Sequence, residues 1–121
     1  VPEYIKELSV IEQFHTQQLA RFLQQLRSVR EPDGKPLLDK CMVLFGSGMG
    51  NASAHSNKNL PLVLAGGGFK HGEHKSYFMD EAKREATLAS KLFVSMLNRF
   101  GMEVDRFGAA SGTLTGLEVG A

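Results

Sequence analysis

The chain has 121 residues and a net charge of +1, from 14 lysines and arginines against 13 aspartates and glutamates, so no strong field points to nucleic acid or an anionic membrane. Hydrophobic residues make up 42% and charged residues 22%, a globular balance that argues against disorder. The single cysteine, Cys41, excludes an internal disulfide and a CxxC metal knuckle.

The length fits one domain with no internal boundary. Its apolar runs fall far short of the roughly 20 residues a membrane-spanning helix needs. Tyr4, Leu8, Ile11, Leu19, Phe22, Leu26 and Val29 recur at spacings of three and four and predict a long amphipathic helix over 2–29. His15 falls in the gap of that stripe and reads as a hydrogen-bonded core or interface histidine. Pro2 suits the first turn, and the segment Glu31-Pro32-Asp33-Gly34-Lys35-Pro36 ends the helix.

Two apolar runs follow. The first predicts a strand at about 41–46, opening into Gly46-Ser47-Gly48-Met49-Gly50; the second predicts a strand at about 60–65, opening into Gly66-Gly67-Gly68. Cys41 reads as core. Runs apolar throughout fit strands covered on both faces in a mostly parallel sheet, although periodicity alone also allows a buried helix. Ala86, Leu88, Leu92, Phe93, Met96, Leu97 and Phe100 predict a second helix over about 80–100, with Asp80 as N-cap, Gly101 as C-cap and the charges of 81–85 on a solvated face. Met102, Val104 and Phe107 suit a short strand or an apolar loop, before a glycine-rich tail over 108–121. The expected fold is α/β, a partial, mostly parallel sheet flanked by two long helices. Strands this few, buried on both faces, would need neighbours the chain does not supply, and the first residue is Val1 rather than methionine. A piece of a longer protein is therefore expected.

Chemistry is expected beyond the strand ends, where open α/β sheets place their sites. The loop after the first strand is no dinucleotide fingerprint, since Asn51 stands where G-x-G-x-x-G needs glycine. Nor is Ser47 a hydrolase elbow, because Phe45 stands two residues before it. Ser47 and Asn51 mark the loop as a location. It carries His55, and His71 and His74 follow the second strand. Strands running the same way would release these imidazoles on one rim, where His55 and His74, with His71 as the weaker candidate, could hold a divalent cation such as zinc, magnesium or calcium. The ordinary alternative is solvated loop histidines, with Glu73 a surface charge rather than a ligand.

The succession Phe14-His15, Leu37-Leu38-Asp39 and Met42 through Met49 resembles the bacterial family named for its HXXSHH motif. So do Asn51 with His55, Asn59-Leu60-Pro61 with Leu64 through Gly67, Gly72 with His74, and Phe107-Gly108 with Ser111 through Leu114. The resemblance covers nearly the whole chain. It implies that residues 1–121 are a single C-terminal domain fragment of an exported, alkaline phosphatase- and sulfatase-like protein. The naming motif and the nucleophile would lie upstream. His55 occupies the loop where such metalloenzymes place late ligands, but Ala54 stands where they usually have aspartate.

Two functions follow. The intact protein would be a metal-dependent phosphate- or sulfate-ester hydrolase, with His55 and His74 helping upstream residues hold the cation. Alternatively the chain would be a non-catalytic binding or structural module of an exported assembly. The implied partners are the missing N-terminal part and a second copy in a homo-oligomer, with no nucleic acid and no membrane span.

Overall fold

The computed structural model describes residues 2–77 and 89–118. Helix α1 spans Pro2–Ser28, with Glu3 in its first turn and Arg27 in its last, the charge order that opposes the helix dipole. Its exit is tied down by the turn formers behind it. Gly34, at φ 80°, donates its N–H to the Glu31 carbonyl at 2.8 Å, and Asp33 Oδ1 accepts the Lys35 N–H at 3.0 Å. Leu37 N–H then reaches back to the Val29 carbonyl at 2.8 Å, seating a one-turn 3₁₀ segment, Leu37–Lys40, against the end of α1. Lys40 Nζ bridges Asp33 at 3.2 Å and Glu31 at 3.4 Å. The Lys35 N–H and the Lys40 ammonium hold the Asp33 carboxyl below its usual range.

Strands β1 (Met42–Gly46) and β2 (Leu62–Gly66) pair antiparallel, Met42 opposite Gly66 and Gly46 opposite Leu62. This corrects the expected fold: among the described residues there is no parallel sheet, and none flanked by two long helices as the phosphatase-like expectation required. The physical reason lies in residues 47–61. A parallel return needs a crossover that recrosses the sheet, usually a helix. This segment instead folds back through an isolated bridge between Asn51 and Ser56. Gly46 permits the reversal, because a Cβ there would collide with the Pro61 carbonyl oxygen.

The expected two-sided cover of the strands is also absent. No residue of β1 or β2 is fully buried, Leu62 and Val63 are exposed, and Cys41, expected in the core, is half-buried. A lone two-stranded hairpin is marginally stable in water.

The core sits in the C-terminal part. Helix α2 (Ser90–Arg99) buries Leu92, Val94 and Ser95 against a small antiparallel hairpin, β3 (Arg106–Phe107) with β4 (Ala110–Ser111). Ala110 and Leu114 complete the buried apolar set, and the Phe93 and Phe107 rings meet edge to face at 5.5 Å. Burying Leu92 and Val94 contributes roughly 1.5–3 kcal/mol each. Ser95 Oγ accepts the buried Leu114 N–H at 2.9 Å and donates to the Lys91 carbonyl at 3.2 Å.

The helix closes with a Schellman motif. Gly101, at φ 102°, donates to the Asn98 carbonyl and Met102 to the Leu97 carbonyl. Phe100, expected to pack, is 77% exposed. The predicted helical stretch 80–88, with its Asp80 cap, and the last three tail residues lie outside the described residues.

Candidate functional site

The loop between β1 and β2 holds Ser47, Asn51 and His55, each engaged locally. Ser47 Oγ donates to the Met49 carbonyl at 2.8 Å and accepts the Met49 N–H at 3.2 Å. Asn51 exchanges backbone hydrogen bonds with Ser56, and its Oδ1 accepts the Ala54 N–H at 3.1 Å. That side-chain turn carries the chain into His55, whose φ of 48° is left-handed and whose side chain is exposed. Asparagine supplies the turn here as its side chain commonly does, by bonding a backbone N–H a few residues on.

The second histidine pair leaves β2 through three consecutive left-handed glycines, Gly66, Gly67 and Gly68. Close approach to backbone requires glycine at the start of this run. A Cβ on Gly66 would meet the Cys41 and Leu38 carbonyl oxygens, and one on Gly68 would meet the Arg99 guanidinium. Arg99 Nε donates to the Gly67 carbonyl at 2.6 Å, so the glycine run receives the end of α2. A cleft of about 370 Å³ opens beside it, lined by Asp39, Lys40, Met42, Gly67, Arg99 and Phe100.

His71 Nε2 lies 2.8 Å from the Gly66 carbonyl, which can only accept, so Nε2 carries the proton of that bond. Glu73 is clamped between Lys70 at 2.7 Å and Lys75 at 2.5 Å, and these two ammonium groups hold its carboxyl down at about 2. A carboxylate so committed is an ion-pair partner rather than a free ligand. His74 beside it is exposed. Downstream, the Tyr77 hydroxyl donates to the Thr115 carbonyl at 2.6 Å, Lys70 N–H bonds the Leu117 carbonyl at 2.8 Å, and burial pushes the Tyr77 phenol up.

Strand direction decides which histidines meet. His55 leaves the hairpin at its Gly46–Leu62 end, while His71 is fastened to Gly66 at the Met42–Gly66 end. Four residue steps of about 3.4 Å put roughly 14 Å of ladder between those ends. The common rim expected of parallel strands is therefore absent. His71 and His74 share the segment after β2, and His55 stands at the other end.

Among the described residues no three histidine, cysteine or acidic side chains are placed to hold a metal ion. The metal-dependent chemistry expected from the resemblance thus has no complete ligand set within those residues, and no reaction step is derived through it.

Sequence reasoning passed over Ser95, Asn98 and Arg99, which carry the polar bonds of the C-terminal part. Asn98 makes a reciprocal pair with Val104, donating to its carbonyl at 2.9 Å and accepting its N–H at 3.0 Å. The available signal was a serine interrupting the apolar face of α2. A small hydroxyl on a buried stripe calls for a backbone partner.

The other feature a partner could use is α1. None of its 27 residues is buried, although Tyr4 (73% exposed), Ile5, Leu8, Ile11, Phe14 and Phe22 are large and apolar. Leu19, Leu23 and Leu26, nearer the 3₁₀ turn, are half-covered. His15, expected in a core or interface, is exposed on the same stripe, with its ring centroid 6.3 Å from that of Phe14. Among the described residues no helix is long and apolar enough to cross a membrane. No family model matches the chain, and no curated protein or solved structure matches it significantly.

Proposed function

We propose that this chain is a non-catalytic binding and structural module that docks onto another polypeptide surface through the apolar face of α1. The observation that carries the reading is a 27-residue amphipathic helix with no buried residue. A helix owes most of its stability in a protein to the cover its apolar face receives, and isolated helices gain little from propensity alone.

Large apolar side chains exposed along one face of a helix, as Tyr4, Leu8, Ile11 and Phe22 are, mark a surface meant for a partner. That the assembly is an exported one rests on the family resemblance. The histidines fit the reading as loop residues: His71 anchors its own segment on Gly66, and His55 occupies a left-handed turn position.

The test is a turnover assay of the full-length protein on aryl phosphate and aryl sulfate esters with zinc, magnesium or calcium, comparing it with its His55→Ala variant. The module reading expects no hydrolysis above buffer for either. Turnover that His55→Ala removes would replace it with the hydrolase reading.

A further inference from the structure

We infer that the partner of α1 is a second copy of this chain, bound by antiparallel pairing of the two α1 helices about a two-fold axis at His15. The inference rests on α1 being a docking surface and adds the identity and register of what covers it. Three observations carry it.

The first is the symmetry of the stripe. Counting outward from His15, Ile11 and Leu19 lie four residues away on either side, Leu8 and Phe22 seven, and Tyr4 and Leu26 eleven. Reversing the helix about His15 therefore lays each of these six positions on another of the six. This is what an isologous interface requires, since one patch must complement itself.

The second is charge. Residues 2–14 carry Glu3, Glu7 and Glu12 against Lys6, while residues 15–28 carry Arg21 and Arg27 and no carboxylate. Antiparallel pairing sets the acidic half of each helix against the basic half of the other. In the register that places His15 on the axis, Glu7, eight residues before it, and Arg21, six after, fall on the same flank of the interface at nearly the same height. Parallel pairing would put acid against acid and base against base, which is unfavourable. Antiparallel pairing also opposes the two helix dipoles.

The third is area. Two α1 helices overlap over about 40 Å at 1.5 Å per residue. An obligate homodimer takes roughly 1,000–2,500 Å² from each chain. Along that length Tyr4, Leu8 and Ile11 are more than half exposed and Phe22 nearly so, apolar surface that such an interface would cover.

His15 is the one polar residue of the stripe and would meet its own copy on the axis. A buried polar residue at such a position fixes register at a cost in affinity. His15→Leu is accordingly expected to tighten the dimer and loosen its register.

Sedimentation equilibrium of the chain across the micromolar range, combined with cysteine crosslinking in a Cys41→Ala background, tests the proposal. A species of twice the chain mass is expected. Leu8→Asp should raise its dissociation constant by about tenfold or more, as charge in the centre of an apolar interface does. Glu7→Arg should weaken the dimer, and adding Arg21→Glu should restore it, because each swapped residue again meets its opposite on the same flank. Under oxidation His15→Cys should crosslink and Leu8→Cys should not.

A monomer throughout would overturn the dimer while leaving the module reading to its own turnover assay. A dimer indifferent to Leu8→Asp would place the interface elsewhere and overturn the proposal. Crosslinking through Leu8→Cys, or no recovery in the double charge swap, would overturn the antiparallel register.

Discussion

Helix α1 runs for 27 residues and buries none of them, whereas α2 has ten residues described and buries three. Both are amphipathic, so the contrast does not come from patterning. It comes from what the chain folds against each. Behind α2 the chain turns at Gly101, returns as β3 and β4, and lays Ala110 and Leu114 on its apolar face. Behind α1 it supplies one 3₁₀ turn and then moves off into the hairpin. An apolar stripe thus states that a helix will be covered, and only the downstream chain states whether the cover is its own.

Matched truncations break this comparison most sharply. Leu92→Ala, in the core at 6% exposure, is expected to destabilise the C-terminal part by about 2–5 kcal/mol. Leu8→Ala, on the open face of α1, should change the stability of the monomer by less than about 0.5 kcal/mol. Denaturant unfolding followed by NMR on both helices checks the pair, and equal losses would erase the distinction.

Ser95→Ala comes next. It leaves the buried Leu114 N–H without an acceptor, for an expected loss of about 1–3 kcal/mol and faster exchange at that amide. Asn98→Ala removes the exposed reciprocal pair with Val104 and should cost about 1 kcal/mol.

The smallest effect is the titration of Glu73. Its carboxyl is lowered in the folded chain by Lys70 and Lys75, so whatever stability it contributes is present above the unfolded carboxylate value and is lost as pH falls through about 2. A carboxyl NMR titration should place its midpoint near that value. A midpoint in the ordinary glutamate range would show that the two lysines do not hold it.

The extent of α1 could be read from spacing, because Tyr4, Leu8, Ile11, Leu19, Phe22 and Leu26 mark a single face. The two apolar runs likewise marked where strands begin and end. Their direction was not legible, since Met-Val-Leu-Phe and Leu-Val-Leu-Ala look the same in a parallel or an antiparallel pair. What decides it lies in 47–61, where Gly46 admits the Pro61 carbonyl and Asn51 bridges to Ser56.

The histidine loops could be read as loops, but their separation could not, because it depends on strand direction. The role of Arg99 was hidden for a related reason. A basic residue in the last turn of a helix ordinarily meets its own carbonyls or water. Here three left-handed glycines carry a distant carbonyl into its reach.

Hydrogen exchange of the dilute chain, read separately on α1 and α2, tests most directly whether α1 takes its cover from outside its own polypeptide. The α1 amides should exchange close to the rate of an unstructured chain, while those of Val94 and Ser95 remain strongly protected. Protection of α1 equal to that of α2 in the dilute monomer would show that the chain covers this helix itself, and would contradict both the docking face and the dimer built on it.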